Sequence, residues 1–212
     1  MANSPDETTL FEGKHITVLG RGRWEYVTRR VRRAAVAIVA MTDDDRVVLV
    51  EQFRLPVDRP VVELPAGLTG DTAGSEQESL LESAKRELEE ETGYTAARWT
   101  ELMSGYSSAG LTDEEVIIYL AEGLDRRGSG GGIEHEEIEV HEVPLSKVTA
   151  WLNERGAKID FKIFAGLFAL QEHRAKRGMK WRAFASRVGE SLLNSYAALA
   201  GVERSEPPVN SV

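Results

Sequence analysis

The sequence predicts an α/β protein: an α/β/α sandwich with a mixed sheet, N-terminal antiparallel strands and an extra C-terminal helix. Three observations carry this. Short β-branched runs bounded by turn residues fill the first two thirds of the chain. One strongly patterned helix, at Glu78–Tyr94, interrupts them, and helical spacing takes over after Leu145. At 212 residues and 42% hydrophobic, the chain suits one globular domain with an added terminal element. Residues 1–33 are expected to form an N-terminal strand region, 34–176 the main domain, 177–202 a C-terminal helix and 203–212 a disordered tail.

Strands are predicted at His15–Gly20, Trp24–Arg30, Ala34–Met41 and Val47–Phe53, with Asp43-Asp44-Asp45 as a turn. Pro56–Pro60 is expected as a loop and Val61–Leu64 as a short strand ahead of Pro65-Ala66-Gly67. Gly67–Gly74, rich in Gly, Thr and Asp, reads as loop. Ser75 and Glu78 have capping-box spacing and are expected to start the patterned helix. Further strands are predicted near Trp99–Met103, Val116–Ala121 and Ile138–Val143. The run Gly128-Ser129-Gly130-Gly131-Gly132 reads as a flexible hinge or loop. Helices are expected at Leu145–Arg155, Asp160–Arg177 and Trp181–Ala200, the last with Trp181, Phe184, Val188, Leu192, Tyr196 and Leu199 at helical spacing.

A formal charge of −9 argues against nucleic acid or an anionic membrane as the main partner. With no cysteine there is no disulfide framework, thiolate metal site or cysteine nucleophile. The polar, acidic start of the chain has no apolar leader core, and no apolar run is long enough to span a bilayer. The expectation is a cytoplasmic protein.

The patterned helix carries the chemistry. At about 100° per residue, Leu80, Leu81, Ala84 and Leu88 share one apolar face, and Glu82, Lys85 and Glu89 fall opposite. Glu87 and Glu91 lie four apart on the stripe that continues Leu80 and Ala84, with Glu90 beside them. Like charges at that spacing repel and are costly at a core edge without a positive compensator. A hard cation with oxygen ligands is one such compensator. The rival reading is an acidic, well-capped helix closed by Gly93.

Glu78, seven residues, then Arg86-Glu87-Leu88-Glu89-Glu90-Glu91-Thr92-Gly93-Tyr94 resembles the signature of the Nudix hydrolases at every fixed position. The family's glycine before the helix matches Gly67, with ten residues between it and Glu78 where the family has five; Thr72 stands at the family's usual glycine position. A longer loop into the helix accounts for this. The resemblance implies the Nudix fold and Mg²⁺-dependent cleavage of a nucleoside diphosphate linkage, with Mn²⁺ as a substitute metal. It places Glu87, Glu90, Glu91 and the backbone carbonyl of Ala66 as metal ligands, with Arg86 holding the glutamates. Glu78 has two roles open to it, capping the helix or orienting Arg86.

Gln52-Phe53-Arg54, Glu63-Leu64-Pro65-Ala66-Gly67, Ser107–Glu114, Glu136–Val140 and Val143-Pro144-Leu145 further resemble the ADP-ribose pyrophosphatases. In that subfamily a glutamate on the loop before the last strand assists catalysis, which implies Glu136 first and Glu134 second. Arg54 would contact the diphosphate, and forked guanidinium geometry suits that task; Glu63 is grouped with it. Trp24, Glu25 and Arg29 resemble a strand that reaches a neighbouring subunit's site in a homodimer. There Trp24 would stack on adenine, with a packing role as the rival, and Arg29 would meet phosphate or ribose. The substrate implied is ADP-ribose, cleaved to AMP and ribose 5-phosphate. The alternatives are another nucleoside diphosphate sugar or dinucleotide, or a non-catalytic nucleotide-sugar sensor.

Overall fold

The computed structural model describes residues 7–30, 33–70, 77–132 and 137–177. The chain divides into two compact units, Met1–Glu172 and His173–Val212. Of the second, only the end of one helix and the turn at Arg177 lie among the described residues. The expected helix from Trp181 and the expected tail lie outside them.

Strands β1 (Glu7–Glu12), β2 (Ile16–Arg21) and β3 (Trp24–Arg29) form a three-stranded antiparallel sheet. The main sheet contains β4 (Ala35–Met41), β5 (Arg46–Arg54), β6 (Arg59–Glu63), β7 (Ala66–Leu68), β8 (Tyr94–Tyr106), β9 (Glu115–Arg126), β10 (Ile138–Pro144) and β11 (Lys158–Ile159). Its order is β11-β6-β5-β4-β9-β8, with β10 also on β5 and β7 also on β4. The β4–β9 and β6–β11 pairs are parallel and the rest antiparallel, so the sheet is mixed as expected. Three helices are described: α1 (Leu80–Thr92), α2 (Val148–Arg155) and α3 (Lys162–Lys176).

Strand β4 shows why the layers form. Side chains alternate across a strand, so Val36, Ile38 and Ala40 pack with Ala84 and Leu88 of α1. Ala37, Val39 and Met41 pack on the other face with Val148 and Leu152 of α2 and Ile163, Leu167 and Leu170 of α3. A strand covered on both faces has no need of polar residues, which is why this one is apolar throughout.

The differences from expectation have local causes. Strands β8 and β9 extend well beyond Trp99–Met103 and Val116–Ala121, because their ends pair with each other and carry exposed residues that leave no apolar pattern. Strand β7 occupies the start of the segment read as loop. Its backbone pairs with Ala35–Ala37, and the pairing asks nothing of side-chain pattern. A short 3₁₀ turn, Leu55–Val57, sits where a plain loop was expected, and Arg59 and Pro60 already belong to β6.

Helix α1 starts at Leu80, later than predicted. Ser79 is its N-cap: its Oγ accepts from the Glu82 backbone N–H at 3.2 Å. Ser75 lies outside the described residues. At the other end Gly93 takes a left-handed conformation, φ 73°, and its N–H donates to the Glu89 carbonyl.

The glycine run after β9 is not the free hinge its composition suggests. Arg127 and Gly128 N–H groups donate to the Gly93 carbonyl at 2.8 and 3.1 Å. Those of Gly131 and Gly132 donate to the Glu91 and Glu90 carbonyls at 2.9 and 3.1 Å. Backbone contacts of this kind leave no trace in side-chain composition.

Because the Ser79 hydroxyl caps α1, Ser79→Ala is expected to lower stability by about 1 kcal/mol. Urea denaturation checks this through the transition midpoint at unchanged m-value.

Candidate active site

The C-terminal half of α1 forms an acidic wall. Its inward face continues from Ala84 and Leu88 to Glu87 and Glu91, which are only 9% and 4% exposed. Glu90 stands beside them, partly buried. Arg86 compensates this charge: its Nη1 lies 2.8 Å from Glu87 Oε1 and 2.9 Å from Glu90 Oε2. On its other side Nε and Nη2 donate to the two carboxylate oxygens of Glu78 at 3.2 and 3.3 Å. Of the two roles open to Glu78, the structure therefore shows it holding Arg86. Burial by itself would lower the Arg86 pKa; the hydrogen bonds and charges of Glu78, Glu87 and Glu90 outweigh it and raise the guanidinium above the usual arginine value.

Strand β7 brings the backbone to these carboxylates. The Ala66 N–H donates to Glu91 Oε2 at 3.0 Å. A Cβ on Gly67 would meet the Glu87 carboxylate carbon at 2.0 Å and its oxygens at 2.1 and 2.5 Å. Only glycine leaves the space that the Glu87 carboxylate fills. This contact explains why Gly67 serves the site despite its distance in sequence from the helix.

Glu87, Glu90, Glu91, Ala66 and Gly67 line a cavity of about 320 Å³ that also takes in Arg29, Arg54, Glu63, Glu114 and Lys162. Arg54 and Glu63 form a bidentate pair at 2.5 and 2.8 Å. Glu63 is buried, and its hydrogen bonds raise the Arg54 pKa against the opposing effect of burial. Glu63 thus orients Arg54. Arg29 Nε lies 2.6 Å from Glu114 Oε1, and Lys162 pairs with Asp160. One cavity therefore joins a carboxylate wall, with its own Arg86, to three further cationic side chains.

Most of the sequence-predicted residues meet here: Arg29, Arg54, Glu63, Ala66, Arg86, Glu87, Glu90 and Glu91. Arg29 reaches its own chain's cavity, whereas the resemblance implied a neighbour's. Trp24 does not line it. This side chain is 57% exposed and borders a separate groove with Arg21, Tyr26, Tyr106 and Asp113. Glu25 is exposed on β3 and lines neither the cavity nor that groove. Glu134 and Glu136 lie outside the described residues. Glu114 and Lys162 were not singled out from sequence. Glu114 ends the Ser107–Glu114 motif, a signal that was available; Lys162, next to Phe161 at a helix start, gives none.

The donors on α1 and β7 are all oxygens, the chemistry that suits Mg²⁺ or Mn²⁺ over softer ions. The fit rests on two observations: Glu87 and Glu90 share one positive charge, with Glu91 beside them, and a cradle over Gly67 holds Glu87 in place. Elsewhere Glu51, Glu139 and His141 also bring possible ligand atoms within 4.8 Å of one another. Arg155 pairs with both of those glutamates, so a cation already serves that cluster, and none of the three lines the cavity.

The model of the NUDIX domain matches residues 31–167, most of the chain. The chain belongs to the Nudix family. An ADP-ribose pyrophosphatase of Bacillus subtilis is 44% identical over 112 residues, covering 52% of this chain and 58% of that protein. A GDP-mannose pyrophosphatase of Pectobacterium atrosepticum is 35% identical over 116 residues, covering 51% of this chain and 57% of that protein. The chain therefore spans less than two thirds of the length of either relative. A crystal structure of an ADP compounds hydrolase superposes with a TM-score of 0.66 over 82% of this chain and 95% of that one. At 24% identity this likeness is one of fold. The segment that resembles the Nudix signature, Glu78–Tyr94, supplies Glu87, Glu90 and Glu91 to the cavity's acidic wall.

The Gly67 cradle yields a prediction for this Nudix site. Gly67→Ala displaces the Glu87 carboxylate, the flexible partner in the contact. It is expected to weaken Mn²⁺ binding by about 10–100-fold, the range for a lost supporting contact, with little change in melting temperature. Titration followed by the electron paramagnetic resonance of free Mn²⁺ checks it.

Proposed function

We propose that the chain is a divalent-metal-dependent pyrophosphohydrolase that cleaves ADP-ribose to AMP and ribose 5-phosphate. The observation that carries this reading is the convergence of Glu87, Glu90 and Glu91 on a cavity that also holds Arg29, Arg54 and Lys162. A bare acidic pocket would repel a diphosphate. A pocket with carboxylates for a cation and separate cations for the phosphates accepts one.

Glu87, Glu90, Glu91 and the Ala66 carbonyl would hold the metal, Mg²⁺ first and Mn²⁺ as substitute. When bound, such an ion neutralises diphosphate charge and lowers the pKa of a coordinated water. Arg86 keeps Glu87 and Glu90 in position from the helix side. Arg54, pre-oriented by Glu63, presents a fixed guanidinium to a phosphate oxygen, and Arg29 does so from β3 with Glu114 as its support. The catalytic glutamate implied by resemblance remains Glu136, with Glu134 second.

The choice of ADP-ribose is supported by the Bacillus relative and by the motifs at Gln52–Arg54, Glu63–Gly67 and Ser107–Glu114. The GDP-mannose pyrophosphatase relative favours one second reading, the same cleavage on another nucleoside diphosphate sugar, because the carboxylate wall engages the diphosphate and not the leaving group. A sensor without catalysis has less support, since every box carboxylate is present and the cluster is assembled. A cytoplasmic homodimer completes the reading. The exposure of the apolar side chains Leu10, Phe11, Ile16 and Trp24 on the three-stranded sheet supports the dimer.

The test is hydrolysis of a panel containing ADP-ribose, ADP-glucose, GDP-mannose, NADH, diadenosine polyphosphates and 8-oxo-dGTP, each with Mg²⁺ and with EDTA. ADP-ribose is expected to be preferred, and Glu91→Gln to reduce turnover by orders of magnitude in a folded protein. Preference for GDP-mannose moves the assignment to the second reading, and near-normal rates in Glu91→Gln remove the metal site from it.

A further inference from the structure

The last turn of a helix leaves carbonyls without intrahelical partners. In α1 that turn carries Glu90 and Glu91, so whatever satisfies its carbonyls also fixes the direction in which these two carboxylates point. Water or local capping turns do this for many helices. Here the glycine run supplies it: the Gly131 N–H meets the Glu91 carbonyl at 2.9 Å and the Gly132 N–H meets the Glu90 carbonyl at 3.1 Å. Three consecutive residues, Gly130, Gly131 and Gly132, have φ of 66°, 109° and 83°. In that conformation the adjacent N–H groups of Gly131 and Gly132 reach the adjacent carbonyls of Glu91 and Glu90. Side chains other than glycine rarely adopt it.

The run is fixed from its other side as well. The Gly131 carbonyl accepts from the Ile138 N–H of β10 at 3.2 Å, and the Gly128 carbonyl accepts from Arg126 Nε at 3.1 Å. Arg126 in turn lies over the Tyr94 ring, 5.3 Å from its centroid, and Tyr94 Oη donates to Glu142 of β10 at 2.5 Å. The end of α1 is therefore tied through glycine backbone to two strands of the sheet.

We propose that Gly130, Gly131 and Gly132 are positioning residues for the metal site, holding the last turn of α1 so that Glu90 and Glu91 face the cavity. This rests on the metal-binding role of those glutamates given above. The glycines differ in a way that separates positioning from mere looseness. A Cβ on Gly128 meets nothing within 4 Å. One on Gly131 has open space but the wrong backbone conformation, its nearest neighbour being the Ile138 carbonyl at 3.9 Å. A Cβ on Gly130 has both problems, lying 2.4 Å from the Thr92 carbonyl carbon and 2.6 Å from the Glu91 oxygen.

The experiment measures Mn²⁺ affinity of the full chain by electron paramagnetic resonance, without substrate, for wild type, Gly128→Ala, Gly130→Ala, Gly131→Ala and Glu91→Gln. Gly128→Ala should match wild type. Gly131→Ala should bind about 10–100-fold more weakly, as when a supporting contact is removed, and Gly130→Ala more weakly still. At saturating Mn²⁺, KM for ADP-ribose should stay at the wild-type value in Gly131→Ala. If Gly130→Ala fails to fold, Gly131→Ala, which meets no collision, decides the matter. A lowered melting temperature with wild-type Mn²⁺ affinity in both variants would overturn the proposal and leave the glycines with a purely structural role. Should wild type bind no Mn²⁺, or Glu91→Gln bind it equally, the metal reading itself fails and this inference with it.

Discussion

Everything at this site depends on the burial of like charge on one helix. Glu87 and Glu91 sit where the heptad-like pattern of α1 would place leucine or alanine, and Glu90 adds a third carboxylate at the rim. Removing carboxylates from water is costly unless partners replace the lost solvation. Arg86 is one such partner, the Ala66 N–H another. The surrounding strands are arranged so that these partners arrive: β7 pairs with β4 at Ala66–Ala37, and β4 in turn packs its Val36 and Ile38 under α1. A helix with an all-apolar face would need no such partners and would have no chemistry to offer.

Backbone, more than side chains, does the fine placement. Gly67 lets the Glu87 carboxylate settle against β7. Gly93 ends the helix in a left-handed turn, and a Cβ there would strike the Gly128 carbonyl oxygen at 2.3 Å. The first contact sets main chain against a functional carboxylate, the second against the main chain of the glycine run. Main chain has fixed geometry and little entropy left to lose once its strand or turn has formed. Positioning by side chains would add rotamers to freeze around each carboxylate.

The chemistry of the sequence was legible where periodicity and motif coincide. The two faces of α1 could be read from Leu80, Ala84 and Leu88 against Glu82 and Glu89, and the anomaly of Glu87 and Glu91 followed from that reading. The strand β4 was legible because a buried strand is an uninterrupted apolar run. Other features had no side-chain signature. Ser75 and Ser79 both stand three residues before a glutamate, so the capping pattern fits twice and the fold alone selects Ser79. The glycine run carries the composition of a flexible linker, and its docking on α1 consists entirely of N–H and C=O groups that every residue possesses. The pairing of Glu63 with Arg54 joins residues on adjacent strands, and it depends on the antiparallel β5–β6 register, in which Arg54 faces Arg59.

The same charge logic explains why Arg86 has two sets of partners. Its Nη1 serves Glu87 and Glu90, the carboxylates that face the cavity, while Nε and Nη2 are held by Glu78 at the opposite end of the helix. An arginine bonded only to the cavity carboxylates would lose its position whenever those oxygens turned to a cation. Glu78 keeps the guanidinium fixed through such a change, because its two hydrogen bonds involve none of the cavity's oxygens. Glu87 and Glu90 would then keep a positive charge beside them whether or not a cation is present. Glu78 is thus part of the site without lining the cavity, one full step removed from anything that binds there.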